Sequence, residues 1–338
     1  MTTNLVILIH GMTPLPGPMT QDACYDALWT ALTDLRPELG RRIAGPPIKV
    51  EWGHERPGEP APVRADHQLT LAEQFILDRV GYANVERVSD PGNRLQTDIG
   101  IPGVHWALGK IRESVILFGL ADVVYYCSRD GETRVRQQVY EQVLSRLQPY
   151  VDKGPVRLHL FAHSLGVAIA HDFLYGLFNR DPDYCPGFVK EKQGSSEEAE
   201  QRFLRWRKKA QAGELSLGGF AAAASQLPLL LMRSQKIVTT FYDAKRASNA
   251  GQKPIGVDPR DIGIAQSARP QWTIFYDTDD LLGFPSRGLY TLPDGSAHPA
   301  IVDCQVNTGW EPMSAHLRYW QHTKVIEETA RLFASWTE

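Results

Sequence analysis

Ser164 stands in the middle of Ala162-His163-Ser164-Leu165-Gly166, with an apolar run before it and an apolar helical repeat after it. A serine hydroxyl is a weak nucleophile alone. It attacks acyl carbonyls when a histidine takes its proton and an acid holds that histidine in place. Residues 156–162 read as a strand buried on both faces, and Val167, Ala170, His171, Leu174, Leu177 and Phe178 recur as a helix. Ser164 therefore falls at the apex of a tight turn. Small residues two before and two after it suit a strained backbone that pushes Oγ out of the sheet. The five-residue pattern is common by chance, and without the chemistry it reads as a serine capping a buried helix.

An acyl-transfer serine also needs preorganised donors for the oxyanion that forms on attack. The backbone N–H of Leu165, directly after the nucleophile and at a helix start, is one candidate. The loop after the first strand, His10-Gly11-Met12-Thr13, is where the other is expected, since its glycine lets backbone approach a substrate closely. Taken alone, His10-Gly11 is only a turn signal.

Downstream of Ser164, an expected strand at residues 272–276 runs into Asp277-Thr278-Asp279-Asp280-Leu281-Leu282-Gly283. Any of Asp277, Asp279 and Asp280 has the chemistry to orient a histidine, and the others then serve as turn residues accepting from backbone N–H groups. Three histidines follow. His298 precedes the last expected strand and faces the wrong end of the sheet, His316 follows that strand, and His322 is expected on the surface of the last helix. His163, beside the serine, is read as packing or orienting.

Together these segments resemble the lipase-like and esterase-like α/β-hydrolases. Ala162 to Gly166 looks like their nucleophile elbow, with Ala162 where the family has its first glycine, and Ile9-His10-Gly11-Met12 looks like their strand-His-Gly loop. The resemblance implies an α/β-hydrolase fold, with a mostly parallel central sheet, helices on both faces and cap or lid insertions. It implies Ser164 as nucleophile, His316 as base, and Asp280 as acid ahead of Asp277 and Asp279. The amides of Met12 and Leu165 are the implied oxyanion hole. The implied activity is hydrolysis of carboxylic esters, small or lipid-like, through an acyl-enzyme, and it requires no metal or organic cofactor. The same triad serves an acyltransferase or a thioesterase, and outside catalysis the fold can be a scaffold that binds a partner.

The elements that must position these residues follow an alternating strand–helix rhythm, the mark of a parallel sheet with helices on both faces. Strands are expected at residues 5–9, 48–52, 156–162, 215–224, 272–276 and 301–306. Val135, Val139, Val143 and Leu147 mark one helix, and Val325, Ile326, Thr329, Leu332, Phe333 and Trp336 the last one. Residues 122–130 are apolar enough to read as a further strand. The chain reads as a single domain, 1–338, in which residues 53–119 form a cap insertion and residues 179–213 a lid.

Two segments bear on substrates. The turn Ser225-Gln226-Leu227-Pro228 resembles the family's turn at that strand end, and the leucines through Met232 suit either an acyl pocket or core packing. Arg202 to Lys209 mixes basic and aromatic residues. It suits a peripheral membrane contact, or a solvated helix face with Phe203 and Trp206 turned inward.

A net charge of −3 provides no basic surface for nucleic acid. Cys24, Cys127, Cys185 and Cys304 lie too far apart for a zinc or redox motif and read as free thiols of a reducing compartment. No apolar run has the ~18 residues of a membrane span, and the N-terminal one is too short for a signal peptide. A cytoplasmic location is the expectation.

Overall fold

Six short apolar segments lie side by side as parallel strands in the computed structural model, which describes residues 2–11, 21–52, 120–182, 184, 195–233, 258–265, 267–290, 296–309 and 312–337. The strands are β1 (Thr3–Ile9), β2 (Ile48–Val50), β3 (Val156–His163), β4 (Leu215–Ala223), β5 (Trp272–Tyr276) and β6 (Ile301–Gln305). Their order in the sheet is β2-β1-β3-β4-β5-β6. The chain thus builds outward from β1 in one direction, then from β3 in the other. The crevice between the carboxyl ends of β1 and β3 is the switch point where open α/β sheets bind ligands. His10 and Ser164 follow those two strands.

Side chains alternate along each strand, so one sheet feeds two cores. Leu5, Ile7 and Ile9 of β1 join Leu158, Leu160 and Ala162 of β3 on one face, while Val6, Leu8 and Phe161 point to the other. The second face is covered by α1 (Gln21–Leu35), α2 (Pro37–Arg42) and the C-terminal helix (Thr323–Trp336). Cys24, Tyr25, Leu28 and Leu32 form the buried stripe of α1; Val325, Thr329, Leu332 and Phe333 form that of the C-terminal helix.

The first face carries α3 (Leu120–Cys127), α4 (Arg129–Leu147), α5 (Leu165–Phe178) and α6 (Ser195–Gln211). Val135, Val139, Val143 and Leu147 of α4 are buried, as their four-residue spacing predicts. Residues 122–130, expected as a strand, are instead the end of α3 and the start of α4, with Ser128 between them accepting from the Gly131 amide at 3.0 Å. A run of apolar residues fits a buried helix as well as a strand, and here the N-cap serine decides.

The polar-basic stretch of residues 195–211 forms α6, whose Phe203 and Trp206 are fully buried in the core. Its Arg207 is buried too and donates to the carbonyls of Gly176, Asn179 and Asp181, closing the C-terminal end of α5. The expected cap at residues 53–119 lies outside the described residues, as do Cys185 and residues 186–194 of the expected lid. Among the described residues Cys24 and Cys304 are free thiols, and no helix is long and apolar enough to cross a membrane.

Candidate active site

The turn after β3 is built on strain. Ser164 holds φ 57° and ψ −128°, a region that residues with a Cβ rarely enter, and such a conformation costs ~1–3 kcal/mol and persists only where its surroundings over-determine it. They do. The Ser164 amide donates to Ala223 O of β4 at 2.9 Å, and the Ser164 carbonyl accepts from Val167 N at 3.0 Å as α5 begins. Gly166 explains the small residue two after the serine: a Cβ there would run into the carbonyls of Ile9 and His10. Its absence lets α5 start flush against the end of β1.

His316 sits 2.8 Å from Ser164 Oγ through Nε2, and its Nδ1 lies 2.9 and 3.0 Å from the two carboxylate oxygens of Asp280. The carboxylate accepts only, so Nδ1 carries the ring proton and Nε2 is the bare nitrogen that accepts from the serine hydroxyl. Serine, histidine and aspartate therefore form one chain of hydrogen bonds. All three are buried, at 1%, 3% and 4% exposure, in a low-dielectric setting that strengthens each bond.

Asp280 is also held by the Leu282 amide at 2.9 Å. Burial alone would raise its pKa, but the bond and charge of His316, with the Leu282 amide, leave it below the usual carboxylate range. Asp277 and Asp279 are not part of this chain. Asp277 accepts from Thr308 N and from Thr308 Oγ1 (2.8 Å) and thereby ties the loop after β5 to the loop after β6. Asp279 is exposed and donates its amide to Asp277.

One helical turn after β4, Leu227–Leu230, is α7; His316 stands on a short helix after β6, α8 (Pro312–Leu317), where a loop residue was expected. His322 lies just ahead of the C-terminal helix, α9, and not within it, with Nε2 3.0 Å from Asn307 O. His298 is at the opposite end of the sheet, buried and accepting from the Ala300 amide. His163 donates from Nε2 to the His316 carbonyl at 2.7 Å, which steadies the backbone of α8 from beneath. Burial, then the nearby His316, lowers its pKa to about 3, so it stays neutral.

The loop after β1 reaches the serine because of one glycine. A Cβ on Gly11 would sit 2.5 Å from Ser164 Cβ and 3.1 Å from Oγ. His10 before it is clamped: its amide donates to Tyr25 Oη (2.7 Å), its carbonyl accepts from Trp52 Nε1 (3.0 Å), and its ring stacks on Trp52. Tyr25 Oη in turn donates to Val50 O at 2.8 Å. Of the two expected oxyanion donors, Leu165 is the first residue of α5 beside Ser164, while Met12 lies outside the described residues.

Sequence reasoning did not single out this clamp, and it could not. Tyr25 lies on α1 and Trp52 two residues beyond β2, and only the fold brings them to His10. Gln226, named only for its turn, lies with Nε2 3.1 Å from Ser164 Oγ. Comparison with family models, with curated proteins and with solved structures finds no match to this chain, and the functional reading rests on the site itself.

Proposed function

We propose that this protein is a serine hydrolase of the α/β-hydrolase fold that cleaves carboxylic esters. The observation that carries the proposal is the unbroken line from Ser164 Oγ through His316 to Asp280, at 2.8, 2.9 and 3.0 Å, on a serine held at φ 57°. The chain order Ser, Asp, His supports the fold reading, with the nucleophile after β3, the acid after β5 and the histidine after β6.

In the proposed reaction His316 Nε2 takes the Ser164 proton as Oγ attacks the acyl carbon. Asp280 keeps the imidazole in the productive tautomer and stabilises the imidazolium. The same Nε2 then protonates the leaving alcohol. In the second half it takes a proton from water, which attacks the acyl-enzyme and releases the acid. The Leu165 amide and a donor from the loop after Gly11 are assigned to the oxyanion.

An apolar acyl group is supported by exposed residues in the loops after β4 and β5. Leu229 and Met232 beyond β4 and Leu281 beside Asp280 are large, apolar and 55%, 58% and 72% exposed. The test is labelling with a fluorophosphonate probe, which reacts with activated serines, and location of the adduct by peptide mass spectrometry. A single adduct on Ser164, absent from Ser164→Ala, is the expected result. Well-folded protein that takes no label with or without lipid vesicles would remove the proposal.

A further inference from the structure

Among the described residues, two other than glycine have positive φ: Ser164 at 57° and Ala224 at 52°. They follow neighbouring strands. The first strain aims the nucleophile; the second serves no member of the triad. It turns the chain at the carboxyl end of β4 so that Ser225 and Gln226, both buried, fold back over β3. Ala224 N donates to Phe275 O at 3.0 Å, Ser225 O accepts from Phe284 N at 2.9 Å, and Gln226 O accepts from Leu229 N and Leu230 N at 3.1 and 3.2 Å. The turn is thus bound to the β5 loop that carries Asp280, and what it delivers is one carboxamide, with Nε2 3.1 Å from Ser164 Oγ.

We propose that Gln226 is a catalytic residue, a hydrogen-bond donor to Ser164 Oγ that acts most strongly when Oγ leaves the acyl group. This rests on the serine-hydrolase reading above. The hydroxyl has one proton, and His316 Nε2 accepts it, so the Gln226 atom facing Oγ must be the amide nitrogen. One Oγ lone pair accepts from Gln226 and the other is free to attack. During deacylation water adds to the acyl carbon and gives a proton to Nε2. The C–Oγ bond then breaks, its electron pair goes to Oγ, and the proton on Nε2 follows it. An ester oxygen is a poor acceptor and a departing alkoxide a strong one, so the Gln226 N–H stabilises this transition state more than the acyl-enzyme.

The experiment is burst kinetics with p-nitrophenyl acetate on wild type, Gln226→Met and Gln226→Glu, each checked by circular dichroism. Gln226→Met removes the donor with an apolar chain of similar length, and Gln226→Glu removes it with the same shape at pH values where the carboxylate is ionised. Deacylation is expected to slow by about 10- to 100-fold, less than a full oxyanion donor. Acyl-enzyme then accumulates, and kcat and KM fall together. A folded variant that keeps wild-type deacylation overturns the role. So does a loss in kcat with KM unchanged and a smaller burst, the pattern of a disordered site. Wild type with no burst, and no difference from Ser164→Ala, overturns the hydrolase reading and this role with it.

Discussion

Two buried histidines, one in the middle of the sheet and one at its carboxyl end, show what separates packing from chemistry here. His159 of β3 is fully buried, and each ring nitrogen has a partner: Nε2 donates to Asn4 Oδ1 and Nδ1 accepts from Gly219 N, both at 3.2 Å. Space for the ring comes from a bulge, in which Leu158 pairs with Leu217 but Leu160 with Phe220, and from the missing Cβ of Gly218. Burial, then the charge of Arg157, lowers its pKa to about 3.

His316 is as deeply buried, but its partners are a hydroxyl in front and a carboxylate behind. The amides around His159 are fixed and neutral, and neither can receive or supply a proton. On the proposed reading, those around His316 form a relay in which a proton can move and the resulting charge is met. Burial and full hydrogen bonding are common to both sites; the chemistry lies in the partners.

The comparison breaks first at the triad. Ser164→Ala and His316→Ala are each expected to lower ester turnover by ~10⁴-fold or more while leaving the melting temperature within a few degrees, read from p-nitrophenyl butyrate assays beside thermal melts. Near-normal turnover in His316→Ala would end its assignment as base.

The two aspartates sharpen the same contrast within one loop. Asp280→Asn is expected to cost ~10³–10⁴ in kcat, since it presents the wrong partner to Nδ1. Asp277→Asn, three residues away, should lose less than ~10-fold and instead lower stability by loosening the Thr308 tie, at ~1–3 kcal/mol for a buried charge-assisted bond. Equal losses in kcat would remove the distinction between them.

The opposite pattern belongs to His159. His159→Ala leaves the Gly219 amide and Asn4 carboxamide buried without partners, for an expected loss of ~2–4 kcal/mol in urea unfolding, with turnover per folded molecule unchanged. At Gly11 activity and stability should fall together. Gly11→Ala places a methyl 2.5 Å from Ser164 Cβ, and ~10²-fold lower kcat/KM with a stability loss of ~1–3 kcal/mol is the expected result.

The buried histidines also make stability depend on pH. His159 and His163 titrate near 3 in the fold against about 6.5 unfolded, so between those values the unfolded chain binds more protons. Stability is then complete above pH ~6.5 and falls as pH drops toward 3, by at most ~1.4 kcal/mol per pH unit for each histidine. Asp277 and Asp280, whose pKa values are lowered, add to the loss only below the usual carboxylate range. Urea midpoints at pH 7 and pH 5 should differ, and His159→Leu should narrow the difference.

Much of this was legible in the chain. All six strands were read within a few residues, most plainly the central ones, because parallel strands buried on both faces are short continuous apolar runs. Residues 122–130 were misread for the same reason, as a buried helix has such runs too. Ser164 and His316 were named from strand-end position, chain order and the family resemblance, whereas local pattern left three aspartates open and only the resemblance put Asp280 first.

What the sequence determined by itself is local: which segments are strands or helices, where the turns fall, and which residue types stand at the strand ends. The tertiary structure decided the rest. Asp277 and Asp280 are the same residue in the same loop, and only the packing of the β6 loop against it makes one a tie and the other the partner of His316. The clamp of Tyr25 and Trp52 on His10, and the approach of Gln226 to Ser164, join segments distant in sequence, so no local pattern encodes them. Their physical origin is sheet order. It brings the ends of β1, β3 and β4 together, where backbone strain and missing Cβ atoms set distances to a fraction of an ångström.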